Sequence, residues 1–221
     1  VERAARHSSA KDQNLRITRR PAGTLLGEYR VASYEKGQDY VVTVRDAAWE
    51  NASCACPDFR LNELHLCKHI ERVRGTLSTR AALARLEEES RRLRRISVYV
   101  APRPTHEGPF HPAEDIRLHV PPALAELTGP HRTGFVPNGR PPKEQRKAID
   151  QMVRTLKRIA PVRVDDSVGE LLEREIESAD WEKKIDAIAR DVERHPVWKA
   201  SAGALRLKLH PYQVEGAGGG L

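Results

Sequence analysis

Long apolar runs are absent from this chain. No stretch of its 221 residues approaches the ~18 consecutive apolar positions that a membrane-spanning helix needs. Residues 1–20 are polar and basic with no apolar segment, which excludes a secretory signal there and makes the cytoplasm the expected compartment. Aromatic side chains are scarce, at 5%, so extended stacking along a single nucleic-acid strand is not the expected binding mode. Cysteine is scarcer still. All three cysteines, Cys54, Cys56 and Cys67, fall within one short segment. An odd number without a secretory signal argues against a disulfide framework, and such crowding points to a metal.

Charge is plentiful. Lys and Arg number 38 against 31 Asp and Glu, a formal net charge of +7. That balance favours an anionic partner, DNA or another nucleic acid, through phosphate neutralisation; plain solubility is the alternative. With 39% hydrophobic and 31% charged residues, the chain has material for a modest core and one or two small domains.

Residues 1–23 read as a basic arm in which a strand starts at Leu15 and Ile17. Residues 28–34 and 40–45 are rich in β-branched and aromatic side chains, and the link between them holds Gly37, as a short hairpin loop favours. After His69, the apolar positions Ile70, Val73 and Leu77 at i, i+3 and i+7 predict a helix. Residues 79–96 form a second, highly charged helix with a thin stripe of Ala82, Leu83, Leu86 and Leu93, which reads as a solvated spacer.

The composition then changes. Ten of the fifteen prolines lie in residues 101–142, together with His106, His111, His119 and His131. Proline breaks helices and removes backbone donors, so 97–142 reads as an irregular linker with one short strand over 116–120. The histidines are irregularly spaced and no cysteine accompanies them, which argues against a second metal site. Residues 143–200 read as a helical hairpin. Ile149, Met152, Val153, Leu156 and Ile159 make its first face; Ser167 and Glu170 resemble a capping box for the second helix. Leu172, Ile176, Trp181, Ile185, Ile188 and Val192 continue the apolar side. The expected class is α+β, with a small ββ(β)α zinc-binding domain over 24–78, then the charged helix, the proline-rich linker and the helical region.

Cys54-Ala55-Cys56 and Cys67-Lys68-His69 carry the chemistry. Three thiolates and one imidazole complete a tetrahedron around Zn2+. In extended backbone, residues two apart face the same side, so Cys54 and Cys56 can both reach one ion. Inside a helix, residues two apart lie about 200° around the axis, so Cys67 belongs at or just before the helix start and His69 in its first turn. A Cys3His zinc site carries a net charge of about −1, which a helix N-terminus and Arg60, Lys68 and Arg72 offset. Phe59 is expected to pack beneath the site. His65, two residues before Cys67, is the competing fourth ligand; His69 is preferred because His65 falls in the connecting loop. Protein groups fill every position, so the metal is expected to be structural.

At these residues the chain resembles the SWIM zinc finger, over roughly 10–78. The wording Cys56-Pro57-Asp58-Phe59 and Cys67-Lys68-His69-Ile70 matches that family's usage. The resemblance implies two or three strands before the first ligand pair and a short helix after the second. A second resemblance stands at 209–216, Leu-His-Pro-Tyr-Gln-Val-Glu-Gly, which is similar to the first helicase segment of SWI2/SNF2-family ATPases. In that family the glutamine reads the adenine of ATP, and by resemblance the role falls on Gln213, whose amide can donate and accept at once. Bacterial members often carry an N-terminal SWIM domain, so the two resemblances support one another.

Together they imply the N-terminal fragment of an SNF2-type, DNA-dependent motor, with 205–221 as the truncated start of its first lobe. These 221 residues contain no Gly-x-x-x-x-Gly-Lys-Ser/Thr phosphate loop, so no ATP hydrolysis is expected of them. Arg16, Arg19, Arg20, Arg45, Arg60, Lys68 and Arg72 are the candidate basic face for nucleic acid. Two rivals are a protein-interaction adaptor indifferent to DNA and a cysteine redox switch, which needs an exposed low-pKa thiol.

Overall fold

The computed structural model describes residues 15–33, 37–61, 65–102, 114–137 and 139–194. Residues 1–14 of the basic arm, His106, His111 and the segment 205–221 with Gln213 lie outside the described residues. The chain divides into two compact units, residues 1–171 and 172–221.

The first unit opens with a four-stranded antiparallel sheet of Leu15–Arg19 (β1), Gly27–Ser33 (β2), Asp39–Val44 (β3) and Ser53–Cys54 (β4), paired in that order. Alternation sets the register: Tyr29 and Val31 turn inward while Glu28 and Arg30 face water, and Tyr29 stands opposite Val42. Gly37 has φ 58° in the β2–β3 link, a left-handed backbone that glycine adopts without a Cβ clash. A short helix, Pro57–Leu61 (α1), and then Lys68–Thr76 (α2) follow. Ile70, Val73 and Leu77 are buried in one cluster with Tyr29, Val31 and Val42, as the spacing predicted.

Helix α3, Arg80–Arg92, is not the solvated spacer that its composition suggested. Thr79 caps it by accepting from the Ala82 N–H, and Leu86 is completely buried in the first sheet's core. The Glu89 carboxylate accepts from the Leu25 N–H (2.6 Å) and the Thr24 hydroxyl (2.7 Å), tying the helix to the β1–β2 loop. One leucine and one carboxylate dock the helix, which a sequence stripe weighs poorly against eight surrounding charges.

The proline-rich linker is corrected as well. Ile96–Pro102 (β5), Glu114–His119 (β6), Gly134–Phe135 (β7) and Val162–Val164 (β8) build a second sheet in the order β7-β6-β5-β8. Strand β8 pairs parallel with β5, and the other pairs are antiparallel. Among the described prolines, Pro102 closes β5, Pro121 and Pro122 enter a 3-10 turn, and Pro142 starts helix α4, Pro142–Lys157. At such ends a missing N–H costs no ladder bond, so a high proline count is compatible with a sheet.

Strand β8 also interrupts the expected helical hairpin. Ile149 and Leu156 of α4 are buried as predicted. The last helix, Asp166–Arg194 (α5), begins one residue before Ser167, so Ser167 lies in its first turn rather than at its cap. In the second unit, Trp181 and Ile185 are about 60% exposed, where an internally packed hairpin would bury them. Among the described residues, no helix is long and apolar enough to cross a membrane.

Polar groups join the two sheets of the first unit. The Arg45 guanidinium lies 3.7 Å above the Tyr99 ring, donates to Asn51 O (3.0 Å) and Ser53 Oγ (2.8 Å), and pairs with Asp165. Tyr99 donates to Asn51 Oδ1 at 3.1 Å, and Asn51 donates to Asp46. Arg163 bridges Asp165 and Glu28, and Arg60 reaches Glu114 at 3.0 Å.

Candidate metal centre

Strand β4 is only two residues long, yet it places the first ligand. Cys54 pairs with Val42, and the Ala55 N–H continues the ladder to Val41 O at 3.0 Å. The chain then turns into α1, where the Phe59 N–H points at Cys56 Sγ (3.4 Å) and the Arg60 N–H at Cys56 O (3.3 Å). Cys67 is the N-cap of α2, with extended backbone at φ −140° and ψ 168°. Its carbonyl accepts from the Glu71 N–H at 3.0 Å while its thiol caps nothing. His69 sits in the first turn. A sulfur freed from capping at a helix start is the placement that the i, i+2 spacing required.

Cys54, Cys56, Cys67 and His69 are all buried, and their ligand atoms lie within 4.8 Å of one another. His69 Nδ1 stands 3.8 Å from both Cys54 Sγ and Cys67 Sγ. Zn–S bonds of about 2.3 Å and Zn–N bonds of about 2.0–2.1 Å in a tetrahedron give edges of about 3.6–3.8 Å. The group therefore has the size of a zinc tetrahedron, and the donor nitrogen is Nδ1. The four can hold a metal ion such as zinc.

The ring's other nitrogen, Nε2, is buried and has no protein partner. Tyr40 packs against the ring, with centroids 4.9 Å apart, and holds its orientation in place of the carboxylate or carbonyl that commonly does so. Phe59 is buried in the same cluster as the three cysteines, as expected.

The three sulfurs compete for protons. Hydrogen bonds from the Cys54 and Cys67 thiols, joined by His69 and the Phe59 N–H, hold Cys56 far below the ordinary thiol range. Cys54 is pushed up by its bonds to Cys56 and Cys67 and by burial. For Cys67, the bond with Cys54 lowers the value, and the bond with Cys56 together with burial outweighs it. One buried thiolate thus forms readily and a second does not. A divalent cation removes that conflict by stabilising all three thiolates at once. The donor set fits a soft, tetrahedral ion.

His65 is not among the four. It adopts a left-handed φ of 51°, and its ring lies 6.4 Å from that of Phe135. Burial and Arg117 lower its pKa. The candidate basic face changes too. Arg45 is buried against Asp165 and Arg60 is paired with Glu114, whereas Arg16, Arg19, Arg20 and Arg72 are exposed. Among the described residues no second group of three or more metal-binding side chains exists, so His119 and His131 belong to no such site. The sequence reading missed the buried Asp46–Asn51–Tyr99–His119 cluster, for which it offers no local signal.

Comparison of the chain with protein-family models, with characterised proteins and with solved structures gives no match.

Proposed function

We propose that residues 15–78 form a SWIM-type module in which a structural zinc ion welds a β-hairpin sheet to a helix start. The observation that carries this reading is the convergence of three buried sulfurs and His69 Nδ1 on a volume of tetrahedral size. Strands before the first ligand pair and a helix opening at the second support it. All four positions are supplied by protein, so the ion organises structure and activates no water. The module's work is recognition, and DNA is the partner favoured by the net charge of +7 and by the exposed Arg16, Arg19, Arg20 and Arg72.

The larger context that fits is the N-terminal part of an SNF2-type ATPase, a reading that rests on the wording of 209–216. ATP and Gln213 belong to that parent. Two measurements test the proposal. Metal analysis of the purified chain is expected to return one zinc per chain. A fluorescence titration with duplex DNA is expected to show log Kd rising steeply with log salt, by about 0.9 for each phosphate contacted. Absence of stoichiometric zinc overturns the module; tight partner binding in nuclease-treated material alongside undetectable DNA binding at low salt selects the adaptor instead.

A further inference from the structure

We infer that the cleft above Asp46 and His119 is a binding site for a small organic cation, a protonated amine or guanidinium. It shares no residue with the metal centre. The cleft encloses about 440 Å3, within the range that holds small ligands. Its floor is the side chains of Asp46 and His119, both buried, with His119 Nε2 facing Asp46 Oδ2 at 3.6 Å. Val120 and Pro122 supply apolar wall, and Glu87 and Arg91 of α3 stand at the rim.

Hydrogen-bond accounting selects the ligand. Asp46 Oδ2 accepts from Asn51, whereas Asp46 Oδ1 has no partner. Burial keeps the His119 ring neutral, with its pKa lowered to about 4. The facing carboxylate places the ring proton on Nε2, so Nδ1 is an acceptor, and it too has no partner. Two neighbouring buried acceptors without donors are costly, and proteins normally fill such atoms. A ligand able to answer both must carry several N–H groups on one centre.

Charge points the same way. Glu87 adds a second carboxylate at the rim, and Arg91 is already committed to Glu88 at 2.9 Å. A metal ion is a poorer occupant, because no third ligating side chain joins the pair among the described residues. An ammonium or guanidinium on a short apolar body meets the acceptors with its head and Val120 and Pro122 with its stem.

The test is a calorimetric and amide-shift titration of the zinc-loaded full chain with n-butylammonium and with agmatine, using butanol and butyrate as controls. One saturable site with a Kd of about 1 mM or tighter is expected, with the controls at least about tenfold weaker. Glu87→Gln, on an exposed helix position, is expected to weaken the amines about two- to fivefold without changing far-UV circular dichroism or zinc content. His119→Phe is expected to abolish binding; should that variant not fold, Glu87→Gln decides. Nα-acetyl-lysine amide binding as tightly as butylammonium identifies a lysine side chain as the source, and its failure while free amines bind identifies a small metabolite. Absence of saturation, equal binding of butanol, or indifference to Glu87→Gln overturns the site.

Discussion

Replacing Asp165 by asparagine keeps the side chain's shape and removes one negative charge from the joint between the two sheets. Arg45 is 120 residues away in sequence, and its side chain is only 3% exposed. Burial pulls the Arg45 pKa down, and Asp165 is the first of the groups that pull it back up. Breaking a buried pair by neutralising one partner costs about 3–5 kcal/mol, since the remaining charge stays out of water. Asp165 is itself partly exposed and Arg45 keeps its bonds to Asn51 and Ser53, which places the loss near the lower end. About 3 kcal/mol in a unit of this size corresponds to a fall in Tm of about 6–12 °C. The assay is thermal unfolding of the cobalt-substituted protein, read by far-UV circular dichroism and by the cobalt ligand-field absorbance. If the second sheet and the metal-bearing sheet fold as one unit, both signals shift down together. A cobalt transition that stays at the wild-type midpoint while the circular dichroism shifts refutes the reasoning. Glu28→Gln, at the exposed partner of Arg163, serves as control and is expected to cost under about 1 kcal/mol.

Three further outcomes follow from the same contacts. Cys67→Ser removes a ligand from a closed tetrahedron and is expected to weaken zinc by more than about 100-fold, beyond the loss typical of an outer-shell change, whereas His65→Ala leaves competition titrations with a chelator unchanged. His119 is neutral and buried with a folded pKa of about 4 against about 6.5 unfolded, so the unfolded chain takes up the proton first. Stability from this group is full above about pH 6.5 and is lost as pH falls toward 4, by about 2 kcal/mol at pH 5; urea midpoints of His119→Gln are expected to lack that component. Leu86→Ala is expected to cost about 2–5 kcal/mol and Leu83→Ala, on the exposed side of the same helix, under about 0.5; equal urea midpoints for the two would show that α3 is not docked.

Spacing and local alternation made the ligand set, the β2–β3 hairpin and the inward face of α2 legible in the sequence. Those features depend on residues within a few positions of one another, where helical and extended geometry leave little freedom. The preference for His69 over His65 rested on the same local argument, and the placement of His69 in the first turn of α2 agrees with it. The second sheet was not legible. Two of its strands are two and three residues long, too short for a period, and β8 joins β5 in parallel from more than sixty residues away. Prolines at strand and helix ends look in sequence like prolines in a linker, because composition carries no information about which N–H groups a ladder needs. The fate of the charges was equally a tertiary matter. Arg45 and Arg60 read like any surface arginine until the fold sets Asp165 and Glu114 beside them, and Coulomb energy depends on that separation rather than on position along the chain.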